Sequence, residues 1–291
     1  MNNSKPLVIY HANCADGFAA AWCFHHKDPN GYDFHPGVYR DPPPDVKGRD
    51  VYLVDFSYKA TVLKDMCAVA RSISILDHHK SAIEDITPFA KAYWSDGIGG
   101  DWGASLECVF DMTRSGAGIT WDYLFPNRPR PALINHVEDR DLWKFQLEGT
   151  REIQATVFSH EYDFLVWDRL ILDEHPADLA MEGIAIERKH HKDIAELLAV
   201  CTRSMTIGGI NVLAASLPHT MSSDAGHLLA VAGGKLTFGA CYWDTPTHRV
   251  FSLRSCEEGM DVSEVAKAYG GGGHKHAAGF KVPRYHHLAQ E

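Results

Sequence analysis

Short apolar runs punctuate the first half of the chain, and helical spacing fills the gaps between them. Leu7-Val8-Ile9-Tyr10, Asp50-Val51-Tyr52-Leu53-Val54-Asp55-Phe56 and Ile73-Ser74-Ile75-Leu76-Asp77-His78-His79 are rich in β-branched residues. Runs of that length and composition predict strands buried on both faces. Phe18 to His25, dense in alanine and aromatics, predicts a helix packed closely on the sheet. Val62, Leu63, Met66, Val69 and Ala70 predict another over Lys59 to Ala70, with Ser57 as its cap. Asp41-Pro42-Pro43-Pro44-Asp45 is a loop, because three prolines join neither a helix nor a central strand. Strand–helix–strand alternation with such strands predicts a parallel sheet covered on both faces.

The pattern then loosens. Gly97 to Gly103 reads as a glycine-rich loop, and Ala104 to Met112, Ile119 to Phe125 and Pro131 to Glu138 read as helices. From Asp163 to about Val200 the spacing is helical, with a polar stretch, Glu182 to Lys192, typical of a bridging helix. Ile207 to Ala214, Leu236 to Trp243 and Val250 to Arg254 return to strand character. Ser222 or Ser223 is placed to cap an intervening helix, and Val262 to Tyr269 forms one before the glycines at 270–273. The expected organisation is a parallel-sheet domain over 1–165, a helical connector over 166–204 and a smaller α/β domain over 205–291.

Composition narrows the class. A chain of 291 residues can bury a sizeable core. Its formal charge of −10 argues against a broad basic face for long duplex nucleic acid and leaves room for a local basic pocket. Seven scattered cysteines with no Cys-x-x-Cys spacing argue against a zinc ribbon or a disulfide framework and fit a reducing cytoplasm. No apolar run reaches the length of a membrane span, so a membrane partner is not expected.

The chemistry lies at the ends of the apolar runs. His11 and Asp16 follow the first, Asp55 ends the second, and Asp77-His78-His79 ends the third. In a parallel sheet all of these C-terminal ends share one edge, where ligands collect. Glu138-Asp139-Arg140-Asp141 adds a fourth acidic patch. Converging carboxylates and imidazoles suit Mn²⁺ or Mg²⁺ better than tetrahedral zinc. Two such ions need a bridging carboxylate, for which Asp55 on the middle strand is placed, and could activate water for attack on phosphorus.

These motifs resemble the DHH phosphoesterase superfamily, which includes RecJ-type exonucleases, nanoRNases, cyclic-dinucleotide phosphodiesterases and family II inorganic pyrophosphatases. His11-x-x-Cys14-x-Asp16-Gly17 resembles the first motif, Val54-Asp55 the second, Asp77-His78-His79 the signature third, and Asp139 with Trp143 and Phe145 the fourth. The C-terminal Gly270-Gly271-Gly272-Gly273-His274-Lys275-His276-Ala277-Ala278-Gly279-Phe280, with Arg254-Ser255 before it, is similar to the accessory DHHA1 domain.

The resemblance implies a DHH catalytic domain, a DHHA1 substrate-binding domain and a phosphohydrolase acting on short oligonucleotides or small nucleotides. pAp, cyclic dinucleotides and polyphosphate are alternative substrates, and a degenerate nucleotide binder is a further one. It implies two Mn²⁺ (or Mg²⁺) sites, one of them weak, and is compatible with a homodimer. Asp16, Asp55, His78 and Asp139 would hold one ion, and His11 and Asp55 would contribute to the other. His79 would face the scissile phosphate or orient the bridging water. Arg254, Gly272, Gly273 and His274 would grip the substrate's terminal phosphate or base, as glycine amides and an arginine fork can. Trp102 or Trp143 could stack a base. Cys14 stands where the commoner first motif has an additional Asp. It binds as a thiolate, weakens the first site, or is simply packed. Asp141 remains an alternative to Asp139, either as the ligand or behind it.

Overall fold

The computed structural model describes residues 4–95 and 105–290 and divides into two compact units, Met1–Glu187 and Arg188–Glu291. The expected glycine loop at 97–103 and Trp102 lie outside the described residues.

The first unit runs β1 (Leu7–His11), α1 (Ala15–Lys27), β2 (Asp33–Gly37), β3 (Asp50–Val54), α2 (Ala60–Cys67), β4 (Ser72–Asp77), α3 (Lys80–Ser95) and β5 (Ser105–Phe110). It continues through α4 (Gly116–Leu124), α5 (Ala132–Asp141), α6 (Thr150–Ser159), α7 (Phe164–Asp168), a π-helical turn at Arg169–Asp173 and α8 (Pro176–Cys201), within which the division between units falls. Among the described residues the five strands form one parallel sheet in the order β2-β1-β3-β4-β5. Consecutive side chains of each central strand serve opposite cores. Val8, Val54 and Leu76 join Trp22, Ile134 and Trp167 on one face. Their neighbours Ile9, Leu53 and Ile75 join Leu63, Met66 and Ile86 on the other. That two-sided burial is why these strands read as unbroken apolar runs.

One expectation fails at an edge strand, and the other edge strand was not anticipated. Ser105–Phe110 is a strand, not the helix expected over 104–112, and only Leu106 of it is fully buried. Asp33–Gly37, which carries Pro36, is a strand that the apolar pattern does not announce. Edge strands tolerate proline and polar residues because one side of their backbone needs no partner strand. Ser57 does not cap α2 either: its hydroxyl donates to Asp77 (2.5 Å), and the Ala60 N–H is taken by the Asp85 carboxylate (2.9 Å).

The second unit contains β6 (Thr202–Ile207), β7 (Ile210–Ser216), α9 (Ser222–Gly233), β8 (Gly239–Asp244), β9 (His248–Arg254), α10 (Val262–Ala268), β10 (Gly272–His274) and β11 (Ala277–Pro283). Its mixed sheet has the order β10-β11-β9-β8-β7-β6, with only the β7–β8 pair parallel. Phe238, Phe251, Leu253 and Phe280 fill its core. Neither expected serine caps α9. Ser222 donates its hydroxyl to the His219 carbonyl, and Ser223 receives a bond from Arg254.

Candidate metal centre

The strand order 2-1-3-4-5 reverses direction between β1 and β3, and a parallel sheet opens a crevice at the carboxyl ends of such a pair. His11 is the last residue of β1 and Asp55 the first after β3. Asp77 closes β4, with His78 and His79 directly behind it. Asp16 lies in the first turn of α1, and Asp141 is the last residue of α5.

The side chains converge. His11, Asp55 and His79 form one set of donor atoms lying within 4.8 Å of one another, and Asp16, His78 and Asp141 form a second. Asp55 stands between them. Its Oδ2 is 3.5 Å from His11 Nδ1, and its Oδ1 is 3.1 Å from His78 Nε2. His78 Nε2 lies 3.4 Å from Asp141 Oδ2 and 3.8 Å from Asp16 Oδ2.

Backbone features hold this geometry. Asp16 accepts the Gly116 and Ala117 N–H groups at 2.6 and 3.0 Å, so its carboxylate faces the positive end of α4. A Cβ at Gly116 would overlap the Cβ of Asp55, so only glycine lets α4 approach this closely. Asp55 itself has a left-handed backbone, φ 52°. Asp77 is occupied in orienting its neighbours. Its Oδ1 accepts from the His78 and His79 backbone N–H groups (2.7 and 3.1 Å) and meets His79 Nδ1 at 2.8 Å.

The electrostatics describe a pocket short of positive charge. Burial, then the charges of Asp55 and Asp141, push the Asp16 carboxyl well above its usual range. Burial opposes ionisation of Asp55, yet the facing His11 and His78 and the charge of His79 hold it well below that range. Burial also opposes a charged His78, but Asp55, Asp141 and Asp16 outweigh it and raise the imidazole to about 10. Imidazoles face Asp16, Asp55 and Asp141, and the charge of Arg140 acts on Asp141 as well. His11 Nδ1 is buried with no hydrogen-bond partner, although it points at a carboxylate. Buried carboxylates are stable when paired, and an added cation meets that need. Hard oxygens with imidazole nitrogens fit a divalent ion such as Mn²⁺ or Mg²⁺.

Of the two acids in the fourth patch, Asp141 joins the centre and the expected Asp139 does not. Asp139 is buried and accepts the Gln146 and Leu147 N–H groups (2.8 and 3.0 Å) and the Thr150 hydroxyl (2.7 Å). Its oxygens close the loop that follows α5. Trp143, considered for base stacking, lies under the Arg140 guanidinium at 4.5 Å. Cys14 precedes α1, and burial followed by Asp55, Asp141 and Asp16 pushes its thiol well up, so it sits beside the centre as a neutral group.

In the second unit, Arg254 on β9 donates from Nη1 to the Ser252 hydroxyl (3.0 Å) and the Leu253 carbonyl (2.9 Å), and from Nη2 to the Ser223 hydroxyl (2.8 Å). Gly272, Gly273 and His274 make up β10 and pair with Gly279, Ala278 and Ala277 of β11. Gly273 has φ 139°, and a Cβ there would meet the Ala277 carbonyl at 2.5 Å.

The motif set resembles that of the DHH phosphoesterase superfamily. No family model matches the chain. Uncharacterized protein R106 of Acanthamoeba polyphaga mimivirus is 29 % identical over 305 aligned positions, covering 94 % of this chain and 66 % of the relative, so the chain spans just under two thirds of that protein's length. The pGpG-specific phosphodiesterase PggH from Vibrio cholerae is similar over 96 % of this chain and 94 % of its own, with 13 % identity and a TM-score of 0.48. An exopolyphosphatase-related protein from Bacteroides fragilis is similar over 99 % and 89 %, with 13 % identity and a TM-score of 0.45. A putative family II inorganic pyrophosphatase from Methanococcus jannaschii is similar over 99 % and 97 %, with 13 % identity and a TM-score of 0.33. Overlaps this loose carry no weight alone. The DHH likeness rests on the motifs and on the centre they assemble.

Proposed function

We propose that this chain is a divalent-metal-dependent phosphoesterase that cleaves short oligonucleotides or small nucleotides. The observation that carries the reading is the position of Asp55, with one oxygen toward each of two donor sets at a sheet switch point. Asp16, Asp55, His78 and Asp141 would hold one ion, with Asp141 in the place first expected of Asp139. His11 and Asp55 would contribute to a second. Divalent ions bound there supply activation of water and neutralisation of charge on phosphoryl oxygens.

The protein's own groups do the rest. Asp77 fixes the His79 ring through Nδ1 and, against the opposing effect of burial, raises its affinity for a proton. His79 would thus contribute positive charge beside a phosphoryl oxygen as negative charge develops. Arg254, Gly272, Gly273 and His274 would bind the substrate's far phosphate or base. The formal charge of −10 favours a short substrate over a long duplex. Cys14, held neutral, brings no charge to the His11 side and supports a weaker site there.

The assay offers pApA, pGpG, pAp, a cyclic dinucleotide, polyphosphate and pyrophosphate, each with Mn²⁺, Mg²⁺ or Co²⁺. Turnover of a dinucleotide to mononucleotides is expected. Asp55→Ala should reduce it by at least about 100-fold, since even residues behind metal ligands are worth about 10–100-fold. Full activity in that variant would sink the mechanism. Metal-dependent binding without turnover of any substrate would leave only a nucleotide binder.

A further inference from the structure

Beside the His11 edge of the centre lies a side chain that the motifs do not include. The turn Val38–Asp41 follows β2 and is closed by a bond from the Asp41 N–H to the Val38 carbonyl (3.1 Å). Its third residue, Arg40, has φ 77°, a conformation that non-glycine residues hold only where the surroundings impose it. The turn is anchored at its base, where Ala12, next to His11, donates its N–H to the Gly37 carbonyl (3.0 Å). Gly37 leaves space for Phe56, whose ring a Cβ there would meet at 2.9 Å. This places Tyr39 over the centre. Its ring centroid is 4.9 Å from Phe56, 5.2 Å from His11 and 6.3 Å from His79.

The hydroxyl of Tyr39 makes no hydrogen bond with any described residue. A phenol is a neutral donor at ordinary pH, and this one belongs to a residue that is 42 % exposed beside the centre. A carboxylate-lined pocket that receives a phosphoryl group needs donors as well as cations, because the phosphoryl oxygens are acceptors only.

We propose that Tyr39 is a substrate-contacting residue whose hydroxyl donates a hydrogen bond to a non-bridging oxygen of the phosphoryl group at the His11–Asp55–His79 side of the centre. This rests on the phosphoesterase reading and adds a donor that belongs to none of its motifs. The ring's edge contacts with two imidazoles position the donor.

The test compares wild type, Tyr39→Phe and Tyr39→Leu on pApA and on the base-free diester bis(p-nitrophenyl) phosphate with Mn²⁺. Mn²⁺ affinity and thermal melting are measured in parallel. Tyr39→Phe should lose about tenfold or more in kcat/KM on both substrates, in line with one lost donor, with Mn²⁺ affinity and melting unchanged. Tyr39→Leu should lose at least as much. Three results would each overturn the inference: full activity in Tyr39→Phe, a loss confined to the base-bearing substrate, or a matching loss of Mn²⁺ affinity. If wild type hydrolyses no phosphoester, the phosphoesterase reading falls. Tyr39 is then judged by Mn²⁺-dependent binding of orthovanadate, which Tyr39→Phe must weaken if the contact exists and leaves unchanged if it does not.

Discussion

Asp139 and Asp141 are two residues apart on one helix and have opposite situations. Asp139 gives both oxygens to two backbone N–H groups and a hydroxyl, which hold its carboxyl below its usual range against the effect of burial. Asp141 is raised, first by burial, and faces His78 across 3.4 Å. Asp141→Asn should therefore leave metal-free melting unchanged or higher and collapse Mn²⁺ affinity. Asp139→Asn should cost about 1–3 kcal/mol of stability, the penalty for groups left unsatisfied in a buried network. Calorimetric Mn²⁺ titration beside thermal melts of both variants checks the pair, and the reverse pattern would restore Asp139 as the ligand. Asp16, Asp55, His78 and His11 were legible in the sequence because each follows an apolar run. The choice between the two acids was not, since it depends on which way the chain turns after α5. Tyr39 was invisible for a similar reason: it follows an edge strand that carries no apolar signature.

At the scale of elements, the central strands and their helices were readable because burial on both faces leaves long apolar runs. The edge strands were misread or missed, since half of each faces away from the core. The approach of α4 to the sheet depended on a signal that resembled an ordinary loop, Ser115-Gly116-Ala117-Gly118. Ser115 caps α4 by accepting the Gly118 N–H (3.1 Å), and Gly116 admits the helix end to Asp16 and Asp55. Gly116→Ala would force α4 outward. The expected cost is about 1–3 kcal/mol from overpacking, together with loss of metal affinity as Asp16 loses its N–H partners. Gly118→Ala would press on Glu138 and Arg130 instead, from another side of α4; unchanged metal affinity in Gly116→Ala would show that α4 does not set the centre.

For the whole molecule, the centre makes stability depend on pH in a defined direction. His78 is raised in the folded state from an ordinary value of 6.5 to about 10. A raised histidine adds stability that is complete below its unfolded pKa and is lost as pH climbs through its folded one. Asp16, also raised, acts with the same sign. Metal-free protein should therefore lose melting temperature steadily between about pH 6.5 and about 10. Metal takes the place of the His78 proton, so Mn²⁺ binding should release protons and tighten as pH rises across that window. Calorimetry in two buffers of different ionisation enthalpy measures the release. No proton release at pH 8 would mean that metal does not displace the His78 proton. The division between the two units falls at Glu187, inside α8, one unbroken helix with no compositional break to mark it.

Among the described residues, the non-glycine positions with left-handed backbone are Asn13, Arg40, Asp55, Trp143 and Phe145. Each lies within four residues of His11, Asp16, Tyr39, Asp55 or Asp141. Such conformations cost about 1–3 kcal/mol apiece, so the molecule concentrates its strain where its chemistry is assembled. Selection for stability alone would move the other four positions toward glycine or asparagine, as Asn13 already is. Stability and the geometry of the centre are therefore set against each other at the same few backbone angles, and a hardened descendant of this chain would be expected to lose its centre first.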